Sequence, residues 1–481
     1  MNPIYHIALA ATMASSAPQQ ADTLATTPAQ AVMSLDRCIE IALSQNPTVI
    51  VADMEIERTD YSRKETLAQL FPVVNFGATY TRMLAKQTMY MNFDMGAMGG
   101  GASAGGDGDT ADEAASRASS SKKDDGIKMG LDNSWSVGFN ASMPLIAPQL
   151  WQSLKLSDSQ ILQSVETARS SRLSLVNQVK SAWYTLLLTI DSRRTIAENL
   201  DMARLTAEIY EKQYALGTAS QYDVLRTSVA VKNIEPELAQ AEVAIRQARL
   251  QLAVLMGIDP ADVEITPDKG LSDYQDAMYH QALLAEAHRD ISGNSELRQL
   301  DISTSMLERS LAIQKAAFLP TLALSANYNW TSSSDGSPFK NFRWNPYSMI
   351  GLTLSIPLIN VHNVYATKQA KIQVDEMKWR RADLTRTINM QVDLAIDNIN
   401  TNVRQIESCS ESVRQADTAY GIARQSFDIG AASYLDLRDA ELALTRSRLS
   451  YYQAIYNYLV ATGDLELMLG TFDLTPYTPA R

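Results

Sequence analysis

The chain repeats itself, and the repeated unit is a strand hairpin followed by two long helices. Gly138, Ser142, Pro144, Leu145 and Ile146 of WSVGFNASMPLI recur as Gly351, Ser355, Pro357, Leu358 and Ile359 of SMIGLTLSIPLI, 357 − 144 = 213 positions later. The separation persists downstream, where Gly217 and Asp223 match Gly430 and Asp436, and Met256-Gly257 matches Leu469-Gly470. Upstream it is larger: Asn46 matches Asn294 and Pro72 matches Pro320, with 320 − 72 = 248. The excess, 248 − 213 = 35 residues, falls inside the first hairpin loop. A unit recurring at fixed spacing packs its exposed face against its own copy. The two repeats are predicted over residues 35–257 and 283–470, joined by a lateral linker at 258–282 and followed by a tail at 471–481.

Four segments alternate with a period of two, predicted as strands at about 73–82, 133–144, 321–331 and 347–357. In the second, Trp135, Val137, Phe139, Ala141 and Met143 oppose Ser136, Gly138, Asn140 and Ser142. Each strand has one apolar face and one small polar face, the pattern of a membrane barrel with lipid outside and water inside. An antiparallel sheet lying on a protein core would alternate in the same way. Aromatic residues at the loop-proximal ends (Tyr80, Trp135, Tyr328, Trp330, Trp344, Tyr347) favour the membrane, where such rings occupy the interface. Four strands cannot close a barrel, and an open edge in hydrocarbon leaves backbone groups unpaired. The barrel must therefore be shared among chains, and three copies supply twelve strands. Pro72, Pro144, Pro320 and Pro357 stand at the strand–helix borders, where a missing N–H is tolerated.

From Ala147 to Leu216 there is no glycine, and no proline after Pro148. A helix of roughly 70 residues, about 105 Å long, follows. Its stripe Ile161, Val165, Ala168, Leu175, Val179, Ala182, Leu186 and the return stripe Ile234, Leu238, Ala241, Ile245, Ala248, Leu252, Leu255 follow heptad spacing, as coiled-coil seams do. The second copy carries Tyr451, Ala454, Tyr458, Ala461, Leu465 and Met468. Shorter helices are predicted over roughly Asp36–Leu70 and Ser295–Leu319, and Pro236 is expected to kink or break its helix. The fold class is thus mainly α with a membrane β-barrel, in two repeats of helix, β-hairpin and long helices.

A net charge of −12 argues against nucleic acid, which requires a basic footprint. No stretch is long and apolar enough for a transmembrane helix. Residues 1–20 resemble a signal peptide, with an apolar stretch and small residues near Ala17 but no preceding Lys or Arg. No cysteine precedes Cys38, so an N-terminal lipid anchor on Cys has no acceptor near that cleavage site, and Cys38 bonds Cys409 only if the fold brings them together. The loop at about 94–126 is Gly- and Ser-rich and is expected to be mobile; its GASAG lacks the strand and helix that a nucleophile elbow needs. Four histidines and the absence of zinc, P-loop and dinucleotide signatures argue against an enzyme, and no cofactor is expected. Met89, Met91 and Met95 are weak candidates for soft metal ions, set against methionine's ordinary role as a filler of apolar space. A coiled-coil spacer or adhesin of the cell envelope is the alternative reading; it explains the heptads and leaves the four strands unexplained.

SLDRCIEIALSQNP at Ser34–Pro47, the four strands, SMPL and SIPL before the long helices, and the paired turns around Gly217 and Gly430 together resemble the TolC-like outer-membrane efflux family, over about Leu35 to Gly470. The resemblance implies a homotrimer in the outer membrane of a Gram-negative bacterium. Its twelve-stranded barrel would continue into a periplasmic tunnel of helices. Its partners would be outer-membrane lipid, a periplasmic adaptor and an inner-membrane pump of RND or ABC type. It also implies an acidic constriction at Asp436 and Asp439, whose spacing of three puts both on one helix face. Asp near a helix start is equally explained by the helix dipole. The family's entrance latch matches Asp223, but its tyrosine and arginine positions hold Phe427 and Ala432. Tyr214, Arg226 and Arg438 are the remaining latch candidates, the arginines as substitute partners for Asp436, Asp439 or Asp223.

Overall fold

The computed structural model describes residues 29–89, 127–259, 263–274, 290–335 and 343–474. The signal-like start, the Gly-rich loop with GASAG, and Met91 and Met95 lie outside the described residues. In chain order the elements are β1 (Ala29–Met33), α1 (Leu35–Gln45), α2 (Pro47–Ala68), β2 (Val73–Arg82), β3 (Gln87–Met89), β4 (Ile127–Met129), β5 (Asn133–Ile146), α3 (Pro148–Ala215) and α4 (Gln221–Met256). There follow β6 (Val263–Pro267), a 3-10 turn (Leu271–Tyr274), α5 (Ser295–Ala316), β7 (Thr321–Ser334), β8 (Asn345–Ser355), α6 (Val361–Asp428) and α7 (Tyr434–Leu469). The chain divides into two compact units, one of residues 58–161 and 303–377, the other made of the remaining segments.

The first unit carries an antiparallel sheet in the order β2-β5-β7-β8. Directly paired residues share a face, and the register sets apolar against apolar: Phe76 opposite Phe139, Phe139 opposite Tyr328, and Leu324 opposite Leu352. The Phe76 and Phe139 ring centroids are 5.1 Å apart, and those of Tyr80 and Trp135 are 4.4 Å apart. Nothing among the described residues covers this face, since Phe76 is 62 % exposed, Ile350 78 % and Leu352 66 %. A sheet lying on a protein core would bury them, so that explanation of the alternation fails. Gly138 is required by close approach, because a Cβ there would lie 2.4 Å from the carbonyl of Tyr328. Pro144 stands at a register shift in β5, where a residue without a donor disturbs the ladder least.

The other unit holds the hydrophobic core. Trp183, Leu186, Leu252, Met256 and Tyr458 are fully buried, and the Trp183 indole donates to the Tyr274 hydroxyl at 3.2 Å. The α3 stripe is buried at Ala168, Leu175, Val179, Ala182 and Leu186, whereas Val165 is exposed. Beside it Glu166 is buried and paired with Arg169 at 2.8 Å. In the 258–282 stretch, β6 pairs in parallel with β1, and Ile265 and Leu271 enter the core.

Two expectations are corrected. The single helix over Asp36–Leu70 is two helices, broken at Asn46, whose extended backbone (φ −67°, ψ 126°) is what Pro47 imposes on the residue before it. In contrast, α4 runs through Pro236 without a break. A proline removes one ladder bond, and buried Ile234 and partly buried Leu238 anchor the helix on either side of it. Cys38 and Cys409 are both free thiols, and burial pushes the Cys38 thiol up to about 12, which makes it unreactive.

Candidate functional site at the paired helix returns

Each pair of long helices reverses through a turn built the same way. Gly217 and Gly430 adopt left-handed φ values of +77° and +76°, which terminate α3 and α6. Ser220 and Ser433 then cap α4 and α7 in reciprocal capping boxes. Asp223 N–H donates to Ser220 Oγ at 3.2 Å, and Ser220 N–H to Asp223 Oδ2 at 3.2 Å. In the second repeat the corresponding distances are 3.3 Å and 3.0 Å between Asp436 and Ser433. The Ser433 hydroxyl and amide hold the Asp436 carboxyl below its ordinary range. Asp436 is therefore occupied as a helix cap. Asp439, one turn on, is exposed and has no hydrogen bond or ion pair among the described residues.

The substitute ion pairs expected of the two arginines are not formed within the chain. Arg226 stacks over the Tyr434 ring, 5.1 Å from its centroid. Arg438 points into the helix packing instead. Its Nη1 donates to Asn199 Oδ1 of α3 at 3.1 Å and lies 3.3 Å from Glu441 Oε2. The reason is burial: the Glu441 side chain is 1 % exposed, and a carboxylate there draws the nearest cation inward. Asp436, already satisfied by Ser433 and in water, offers much less. Desolvation raises the Glu441 pKa, partly offset by Arg438 and Arg424.

Phe427 and Tyr210 have ring centroids 6.1 Å apart, and Tyr210 meets Tyr434 edge-on at 5.7 Å. With Arg226 these rings connect α6, α3, α7 and α4. Tyr214 is half exposed; its backbone carbonyl accepts from Gly217 N–H in the turn. Tyr210, Asn199 and Glu441 were not singled out in the sequence. Only Glu441 had a legible signal, lying three residues beyond Arg438 on the same helix face. Among the described residues no cluster of His, Cys, Asp or Glu is arranged to hold a metal ion.

The family model described as outer membrane efflux protein matches residues 38–258 and 289–471, both repeats. The chain belongs to this family. Among relatives of this outer membrane efflux protein, the outer membrane protein TolC of Vibrio cholerae is 21 % identical over 339 residues, 70 % of this chain and 76 % of that protein. The alkaline protease secretion protein AprF of Pseudomonas aeruginosa is 25 % identical over 333 residues, 69 % of this chain and 68 % of its own. The solved outer membrane protein VceC of V. cholerae shares the fold with a TM-score of 0.65 at 16 % identity, over 91 % of this chain and 96 % of that one. The efflux protein is accordingly an outer-membrane export channel rather than an enzyme, and the spacer or adhesin reading is set aside.

Proposed function

We propose that three copies of the chain form the exit duct of a tripartite efflux or type I secretion system. In this reading β2 of one copy pairs with β8 of the next, closing a twelve-stranded barrel, and the long helices line a periplasmic tunnel. A periplasmic adaptor and an inner-membrane pump of RND or ABC type deliver the substrate, and the duct conducts it passively. The carrying observation is the bare apolar face of the four-stranded sheet, whose outer strands β2 and β8 are paired on one side only. A surface of that kind in water marks a membrane or partner contact, and unpaired ladder groups in lipid demand closure.

The tunnel entrance lies at the paired helix returns, with Asp436 and Asp439 of each copy forming acidic rings that favour cations. The bond from Arg438 of α7 to Asn199 of α3 joins the second repeat to the first and serves as the latch, with Glu441 orienting the arginine. The test is electron microscopy and light scattering on detergent-extracted protein, with single-channel conductance. A three-fold particle whose Asp436→Ala, Asp439→Ala variant loses cation selectivity supports the reading. A monomer refutes the duct, and unchanged selectivity refutes the entrance.

A further inference from the structure

A cleft lies away from the helix returns, between the middle of α3, the second half of α4 and the turn after β6, with a volume of about 770 Å³. That is the size of a small-molecule site. Its lining combines the apolar side chains of Leu187, Ile190 and Ile245 with a group of cations. Five cations, Arg193, Arg194, Arg246, Arg249 and Lys269, face three carboxylates, Asp191, Glu242 and Asp268. In a chain of net charge −12 this local excess runs against the background.

Two of the carboxylates are already committed. Glu242 pairs with Arg193 at 3.3 Å, and Asp191 with Arg194 at 2.9 Å. Asp191 also accepts from the Leu271 N–H at 3.1 Å and is buried, so it belongs to the frame of the cleft. Arg246 and Lys269 have no hydrogen bond or ion pair among the described residues and line the cleft from different elements, one on α4 and one on the turn after β6. Cations gathered on low-dielectric walls focus the field and concentrate anions. An arginine fork engages an oxyanion by two bonds, and a lysine adds a point charge.

We propose that this cleft is a binding site for a small organic anion bearing at least two acidic groups, carboxylate or phosphate. One group is held by Arg246 and the other by Lys269, while the ligand body rests on Leu187, Ile190 and Ile245. The site is independent of the helix returns and of the duct reading.

The test is isothermal titration calorimetry on the full-length detergent-solubilised protein in low-chloride buffer, with citrate and pyrophosphate as separate probes. Saturable binding that weakens with salt, and at least tenfold in Arg246→Glu with Lys269→Glu, supports the site; the tighter probe identifies the acid as carboxylate or phosphate. Both residues are at the surface of the cleft, and Arg246→Gln serves as a milder second variant. No saturable heat from either probe, or equal affinity in wild type and both variants, overturns the proposal.

Discussion

Asn46 and Asn294, one in each repeat, make the same bond. The Asn46 side-chain Nδ2 donates to the Leu255 carbonyl at 2.7 Å, and the Asn294 Nδ2 to the Met468 carbonyl at 2.7 Å. Each amide oxygen meanwhile accepts a backbone N–H of the next helix, from Thr48 at 2.8 Å and Leu297 at 3.0 Å. One side chain thus caps the end of a return helix and the start of another. Asn46→Ala and Asn294→Ala should each cost about 1–2 kcal/mol. The sites share no partner, so the double variant should approach the sum. Chemical denaturation of the detergent-solubilised protein measures this, and wild-type stability in either variant would show that the bond is idle.

The glycines that end the helices are not equivalent. Gly430 has φ +76° with nothing within 4 Å of an added Cβ, whereas at Gly470, with φ +64°, a Cβ would lie 2.0 Å from the Gly293 carbonyl. Gly430→Ala should cost about 1–2 kcal/mol, the left-handed backbone penalty alone. Gly470→Ala adds backbone overpacking worth about another 1–3 kcal/mol. Equal losses in denaturation would mean that the Gly293–Gly470 contact is looser than described.

Glu441 sets a pH dependence of unusual sign. Its folded pKa is raised by desolvation, so the folded state holds the proton more tightly than the unfolded chain. Its contribution to stability is therefore fully present below the ordinary glutamate value of 4.5 and lost as pH rises through the raised folded value. The exposed Asp436, lowered by Ser433, acts oppositely: its contribution is present above 3.8 and lost as pH falls through its folded pKa. Glu441→Gln should flatten the melting temperature of the protein between pH 4.5 and the raised value. A slope as steep as that of wild type would assign the dependence elsewhere.

Arg438→Ala strands a buried carboxylate and should cost about 3–5 kcal/mol, as the loss of one partner of a buried pair does. Adding Glu441→Gln should recover part of that loss. Asn199→Ala keeps the ion pair and removes only the bond to α3; under the proposed latch the expected outcome is raised single-channel conductance with little loss of stability. Unchanged conductance would leave Arg438 a structural residue and nothing more.

The sequence made the long-period features legible. The strands announce themselves by alternation of Phe76, Phe139 and Leu352 with small polar residues, and the helices by the lack of glycine between Ala147 and Leu216. Pro47 was visible, but a proline fits a first helical turn as well as a break, so the division at Asn46 was missed. The pairing of β1 with β6 joins five-residue strands more than two hundred positions apart, without a local signal. At the helix returns the sequence located Asp436 and Arg438 but not their partners. Whether an arginine seeks an exposed or a buried carboxylate depends on the desolvation of Glu441, which only packing determines.

The half-paired strands β2 and β8 also bear on the order of events in maturation. A lone copy that entered the bilayer would carry two rows of bare amide and carbonyl groups into hydrocarbon, at several kcal/mol for each group. A lone copy left in water keeps its apolar sheet wetted. For the proposed trimeric barrel neither halfway state is a resting place, and insertion coupled to association in one kinetic step is the expected route. Its rate should climb steeply with the concentration of newly exported chains.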